Sequence, residues 1–326
     1  MASSALPDRE HLTICFAHVA YRLGERFARR RTGIRCFELR SYEELQARIG
    51  DADVLVISGL WRNELIENAA KLRFIQSISA GTDQYARDAL RERGIRLASA
   101  QGANERAVAE HAIALMLALA RQLPQSRDNQ ARRRWRGMIS DPARREDEIS
   151  GKTLLIVGLG RIGSRLAALA RGFGMRVIAT KRDPAAAAGA ADLVATNDRL
   201  LELLPQADFV ALTCPLTPQT ELLFGAAAFA AMKPSAFLVN VARGRVVDEP
   251  ALIRALEEQR IAGAALDCFW EEPLPEDSPL WALPNALITP HSAGETRRYE
   301  DNVIDLLLEN LDRLWRGERE LKNQVV

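Results

Sequence analysis

The sequence predicts an α/β protein built from two Rossmann-like, doubly wound lobes, and three observations carry that expectation. Short β-rich runs alternate with polar, helix-compatible segments in two separate series, the pattern of parallel sheets with helical crossovers. A GxGxxG motif stands between a strand-like run and a helix-forming run at the start of the second series. Finally, 326 residues exceed a comfortable single core, and the 48% hydrophobic content comes without any very long apolar run, which suits about two domains.

The first series consists of LTICFAH from Leu12, IRCFEL from Ile34, ADVLVIS from Ala52, LRFIQSIS from Leu72 and IRLASA from Ile95. Val108 to Arg121 follows, apolar on most faces and strongly helix-forming, which reads as a buried helix running between two domains. The second series begins with TLLIVGLG at Thr153 and continues through MRVIAT, ADFVALT, AFLVNVA and IAGAALD to ALITPH, which ends at His291. Between them only Ala185 to Ala191 is compositionally biased, being alanine-rich. From Thr296 to Arg316 apolar residues fall at Tyr299, Val303, Leu306, Leu307, Leu311 and Leu314, an amphipathic stripe expected to pack back on the first lobe.

Lys plus Arg number 44 against 43 Asp plus Glu, so a net charge of +1 gives no field-level reason to expect nucleic acid or a membrane surface. The clusters Arg29 to Arg31, Arg132 to Arg134 and Arg144 to Arg145 are well separated and read as solvated helix faces. Met1 to Glu10 lacks the basic and apolar regions of a signal peptide, and Ile113 to Ala120 is too short to span a bilayer, so a cytoplasmic protein is expected. Cys15, Cys36, Cys214 and Cys268 lie far apart without CxxC or Cys/His spacing; neither a metal site nor a disulfide framework is expected, and all four read as buried small hydrophobes. Trp61, Trp135 and Trp281 read as core or interface filler, with Trp135 in ARRRWRGMIS the one that suggests a subunit contact.

In GLGRIG, Gly158 permits a tight turn, Gly160 lets backbone approach a pyrophosphate, and Gly163 allows a helix to pack closely on a strand. The helix N-terminal amides are then aimed at the phosphates. An ordinary glycine-rich turn is the plain alternative, and the flanking strand, helix and βαβ pattern argue against it. Reduction at C2 of a keto acid needs a cation for the carboxylate and carbonyl, plus a proton donor that titrates near neutral pH. Three residues at strand ends can fill these roles: Arg243 in NVARGR, Glu272 in DCFWEEPLP and His291 in TPHSAG. Each taken alone is as easily a surface charge or loop residue.

Taken together, these stretches resemble the D-isomer-specific 2-hydroxyacid dehydrogenase family. The resemblance runs over nearly the whole chain through SAGTD at Ser79, VAEHAIALMLALAR at Val108, EISGKTLLIVGLGRIG at Glu148, CPLTPQT at Cys214, NVARGRVVDEPAL at Asn240, ALDCFWEEPLP at Ala265 and TPHSAG at Thr289. It implies a flavodoxin-like substrate lobe of residues 1–101 with 294–326, a nicotinamide-binding lobe of 102–293, and an active-site cleft between the lobes. Arg243 would bind the substrate carboxylate and polarise the carbonyl. His291 would be the general acid in reduction and the base in oxidation. Glu272 would hydrogen-bond the imidazole, fixing its tautomer and favouring imidazolium. Backbone amides at Ala80 and Gly81 would hold the substrate carboxylate, with Asn104 near that pocket.

On the cofactor side the resemblance implies Gly158, Gly160, Arg161, Ile162, Gly163, Cys214, Pro215 and Val241 against the dinucleotide, and Asp267 on the nicotinamide side, where a strand-terminal structural carboxylate is the equal alternative. The acidic position that reads the ribose of NAD falls on Lys181, with Thr180 before it and Arg182 after it, so NADP is the expected cofactor and NAD the alternative. Asp183 is the counter-argument, since a shifted turn would return a carboxylate to the ribose. The expected activity is reduction of a small 2-keto acid, glyoxylate, hydroxypyruvate and larger acids all being open. The rival reading is a non-catalytic NAD(P)-sensing binding protein or corepressor on the same fold. The expected assembly is a homodimer through the nicotinamide-binding lobe, using Val108 to Arg121 and the arginine-rich segment after it.

Overall fold

A computed structural model describes residues 6–187 and 189–326, and the chain divides into two compact units. One runs through Asn104 and resumes from Glu295 to Val326; the other is Glu105–Gly294.

The first unit holds a five-stranded parallel sheet of β1 (Thr13–Ala17), β2 (Arg35–Leu39), β3 (Val54–Ile57), β4 (Phe74–Ser77) and β5 (Arg96–Ala98) in the order β2-β1-β3-β4-β5. That is the flavodoxin-like order. Its inner strands read as continuous apolar runs because helices cover both faces; VLVI of β3 is buried at every position. Edge strand β2 buries only its last residue, Leu39, and here one expectation fails. Cys36 is exposed rather than buried, because an edge strand has a neighbour on one side only. The C-terminal helix Tyr299–Trp315 presents Tyr299, Val303, Ile304, Leu307 and Leu311 at three- and four-residue spacing and packs them into a cluster with Ile14, Phe16, Val54 and Val56. Fully buried Asn310 on that helix donates to Gln76 Oε1 at 2.9 Å and accepts from the Lys322 amide at 2.8 Å, so neither amide side chain is buried unsatisfied. Trp61 is a core residue, 2% exposed and tilted against Tyr85.

The second unit holds seven parallel strands: β6 (Thr153–Val157), β7 (Arg176–Thr180), β8 (Leu193–Ala195), β9 (Phe209–Leu212), β10 (Phe237–Asn240), β11 (Gly263–Leu266) and β12 (Ala286–Ile288). Their order is β12-β11-β10-β9-β6-β7-β8, so the chain reverses its direction of strand addition between β6 and β9. In such sheets ligands bind outside the carboxyl ends of the strands at that reversal. Helix Glu105–Ala120 belongs to this unit's core, where Val108, Ala112 and Met116 pack with Leu154, Leu166 and Ala170. The following helix, Leu123–Ala131, buries none of its residues and leads to Trp135 and Met138, which are 97% and 102% exposed. Among the described residues no helix is long and apolar enough to cross a membrane, and no group of three or more His, Cys, Asp or Glu could hold a metal ion.

Candidate active site

Six strand ends of the second unit carry the candidate residues. After β6 the chain turns at Gly158, whose φ of +102° suits glycine. A Cβ there would stand 2.6 Å from Cys214 Cα, so Cys214, just beyond β9, packs directly on the turn. Gly163 is equally obligatory, since its Cβ would lie 2.4 Å from the Gly158 carbonyl oxygen. The Gly158 carbonyl also accepts from Thr213 Oγ1 at 2.8 Å. Gly160 is different: a Cβ would meet nothing within 4 Å, so its backbone borders open space. It is the N-cap of helix Arg161–Gly172, whose first turn has neither a side-chain cap nor an acidic residue. A helix start with no capping side chain and no acidic residue suits an anion. A dinucleotide pyrophosphate fits this cradle, with Arg161 exposed and Ile162 half-buried beside it. Pro215 is exposed, Val241 is 9% exposed, and burial pushes the Cys214 thiol up to about 11, which leaves it a packing group rather than a nucleophile.

At the end of β7, Lys181 is half-buried and Arg182 exposed. Thr180, expected beside them to face a 2′-phosphate, is instead fully buried, because it is the last residue of an interior strand. Asp183 Oδ1 accepts from the Ala185 amide at 3.2 Å, capping its own turn.

The β10 end is shaped by Asn240, 1% exposed, whose Oδ1 accepts from the Ala242 amide at 3.0 Å and whose Nδ2 donates to the Arg243 carbonyl at 3.2 Å. This clasp presents Arg243, whose Nη1 donates to the Ala242 carbonyl at 2.8 Å. Gly244 follows because nothing larger fits: a Cβ would lie 1.9 Å from the Phe269 carbonyl oxygen. The loop after β11 thus rests on the Arg243 turn. In that loop Glu272 accepts from the Phe269 amide through Oε1 at 2.9 Å, while Oε2 lies 2.7 Å from His291 Nδ1. Burial works against charge on Glu272, but the hydrogen bonds from His291 and Phe269 and the charges of His291 and Arg243 outweigh it and hold the carboxyl below its usual range. Side-chain exposures of 44% for His291 and 36% for Glu272 keep the pair open to a ligand. With Nδ1 engaged by the carboxylate, Nε2 is the nitrogen left to exchange a proton.

His291 sits in the left-handed region, φ +52°, in a turn that Asp267 holds from below. Asp267, 2% exposed, accepts from Thr289 Oγ1 at 2.7 Å, the Ser292 amide at 2.9 Å and the Ala293 amide at 3.0 Å. The structure thus brings Arg243, Asp267, Glu272 and His291 to adjacent strand ends of one sheet. Sequence reasoning misses Asn240, Gly244 and Thr289; their only signals are a buried amide at a strand end, a glycine after a key arginine and a hydroxyl before Pro290. Ala80, Gly81 and Asn104 belong to the first unit. Ala80 and Gly81 follow β4, where Ser79 Oγ and Ser58 Oγ are 2.6 Å apart, and Asn104 Oδ1 is buried without a hydrogen-bond partner.

Residues 113–293 match the family model described as D-isomer specific 2-hydroxyacid dehydrogenase, NAD binding domain. The chain is 39% identical over 285 residues to D-3-phosphoglycerate dehydrogenase of Methanocaldococcus jannaschii, a match covering 85% of this chain and 52% of that protein, so the chain spans about half the length of that relative. It is 37% identical to glyoxylate reductase of Pyrococcus furiosus, covering 85% of this chain and 83% of the relative. Among solved structures, the TT0316 protein of Thermus thermophilus superposes with a TM-score of 0.84 at 34% identity, covering 97% of this chain and all of that one.

Proposed function

The chain belongs to the D-isomer specific 2-hydroxyacid dehydrogenase family, and on that premise we propose that it reduces a small 2-keto acid to the D-2-hydroxy acid. The observation that carries this reading is the 2.7 Å pairing of His291 Nδ1 with Glu272 Oε2, with Arg243 near enough for its charge to favour the carboxylate. A nicotinamide dinucleotide supplies, when bound, the hydride that arrives at C2. Arg243 binds the substrate carboxylate and stabilises the negative charge that grows on the C2 oxygen. His291 protonates that oxygen in reduction and takes the proton back in oxidation, while Glu272 keeps the ring in one tautomer and stabilises imidazolium. We assign the backbone amides of Ala80 and Gly81 to the substrate carboxylate and Asn104 to the polar lining near them, where its buried Oδ1 accepts from no protein group. A non-catalytic nicotinamide sensor has no use for a proton donor, so the paired His291 and Glu272 favour the enzyme.

The test offers purified protein a panel of 2-keto acids with NADPH or NADH and follows reduced-cofactor absorbance. Turnover is expected, falling about 10²- to 10⁴-fold in His291→Asn with cofactor affinity retained. Absence of turnover with every acid, or His291→Asn within twofold of wild type, overturns the reading.

We assign NADPH as the preferred reductant and NADH as the alternative. Support comes from the two cations Lys181 and Arg182 at the β7 end and from Asp183, one of whose carboxylate oxygens caps its own turn. A kcat/KM at least tenfold higher with NADH overturns the assignment. We further propose a homodimer through the nicotinamide-binding unit, supported by the almost fully exposed Trp135 and Met138 beyond helix Leu123–Ala131. Light scattering that finds the mass of a single chain at micromolar concentration overturns that. A cytoplasmic location fits the four unpaired cysteines.

A further inference from the structure

We infer that His111 and Thr289 are positioning residues for His291: with Asp267 they form a hydrogen-bonded strut from helix Glu105–Ala120 to the turn that carries His291. The inference rests on the reading of His291 as the proton donor.

The links are short and each has a determined direction. The amides of Ser292 and Ala293 can only donate, so both Asp267 oxygens accept. Thr289 Oγ1 lies 2.7 Å from Asp267 Oδ1 and 3.5 Å from the Leu266 carbonyl, so its single proton goes to the carboxylate. That leaves the Thr289 oxygen as an acceptor, and the atom that faces it is His111 Nε2 at 3.1 Å. His111 must therefore carry its proton on Nε2 and donate to Thr289. The same nitrogen is 3.6 Å from Asp267 Oδ1, beyond hydrogen-bond reach, so the hydroxyl is the bridge.

What the strut holds is a turn in an unfavoured backbone conformation. His291 has φ +52°, the left-handed region that disfavours a residue carrying a Cβ. The next two amides are both tied to Asp267, and the residue two before it, Thr289, is tied to Asp267 and His111. Helix Glu105–Ala120 is a rigid anchor because Val108, Ala109, Ala112, Ile113, Leu115 and Met116 are buried in the unit's core around His111. If the turn relaxes, the His291–Glu272 hydrogen bond loses its alignment, and misplacement of a catalytic group by about 1 Å can cost on the order of 10²-fold.

The experiment compares wild type, Thr289→Val, Thr289→Ser, His111→Leu and His111→Gln, using kcat and KM for keto-acid reduction, thermal midpoints, and the low-field proton resonance of His291 Nδ1–H in the cofactor-free protein. Thr289→Val keeps the shape of threonine but removes the hydroxyl. It is expected to lower kcat by about 10- to 100-fold with KM for the keto acid nearly unchanged, and to shift or broaden the His291 resonance. Thr289→Ser restores both. His111→Leu reproduces the loss more weakly, and His111→Gln, which offers an amide donor at similar reach, recovers it. Should Thr289→Val fold poorly, the two His111 variants decide the question alone. If His291→Asn is inactive yet Thr289→Val and His111→Leu keep wild-type kcat and resonance, the strut is wrong and the function stands. If Thr289→Ser is as impaired as Thr289→Val, the hydroxyl is not the link and the inference falls. If His291→Asn itself is fully active, the functional reading fails first.

Discussion

Replacing Gly244 by alanine inserts one carbon between the two loops that carry the proposed chemistry. Its Cβ would lie 1.9 Å from the Phe269 carbonyl oxygen, 2.0 Å from the Phe269 carbonyl carbon and 2.6 Å from the Trp270 amide nitrogen. All three are backbone atoms and cannot rotate away. Ordinary contact begins at 3.4 Å, so the Arg243 turn and the Phe269–Glu272 loop must part by about 1.5 Å. Overpacking of this kind costs about 1–3 kcal/mol, and for a unit of this size each kcal/mol lowers the thermal midpoint by roughly 2–4 °C. The loss of activity is expected to be larger than stability alone explains, because Arg243 moves on one side of the wedge and Glu272, anchored to the Phe269 amide, moves on the other. A displacement near 1 Å costs about 10²-fold in rate. Thermal unfolding by circular dichroism and steady-state keto-acid reduction read the two effects. Gly172→Ala is the control, since its Cβ would meet nothing within 4 Å near the end of helix Arg161–Gly172 and is expected to leave both measurements near wild type. A Gly244→Ala protein with an unchanged midpoint and kcat/KM within twofold of wild type would refute the argument.

Arg243→Ala is expected to raise KM for the keto acid and lower kcat together, and an unchanged KM would count against its role at the carboxylate. Glu272 is held below its usual carboxyl range and is charged at neutral pH, so Glu272→Gln removes an anion from beside His291 and moves the alkaline limit of reduction to lower pH; a limit that stays or rises excludes Glu272 as the partner. The same depressed carboxyl contributes stability that is present above the ordinary value of 4.5 and is lost as pH falls through its lower folded value, and the variant should lack this acid-dependent component of unfolding. Gly160→Ala should leave the thermal midpoint of the cofactor-free protein unaltered, since a Cβ there meets nothing, while weakening dinucleotide binding by calorimetry; unchanged affinity would remove Gly160 from the phosphate cradle.

The features readable from sequence are those whose signals are local. Interior parallel strands announce themselves as apolar runs, as TLLIV and VLVI do, and the turn after β6 is legible because both its glycines with steric limits lie within one short motif. Local patterning also misleads where burial depends on position in the sheet. Cys36 sits in an apolar-looking run yet is exposed, because the run forms an edge strand, and Thr180 looks available beside Lys181 yet points into the packed interior.

Contacts that set the geometry of the proposed site span long stretches of chain, and no periodicity encodes them. Asp267 accepts from amides 25 and 26 residues away, Gly244 is required by a carbonyl in the loop after the next strand, and His111 reaches Thr289 across 178 residues. Parallel topology makes this unavoidable between strands. One strand end meets its neighbour only after the chain has crossed back over the sheet, so residues that touch across neighbouring carboxyl ends are distant in sequence. It follows that Arg243, Glu272 and His291 stand out in sequence by chemical type at strand ends. The groups that orient them, an amide, a hydroxyl, a buried carboxylate and a missing Cβ, have ordinary local explanations until the strand ends are brought side by side.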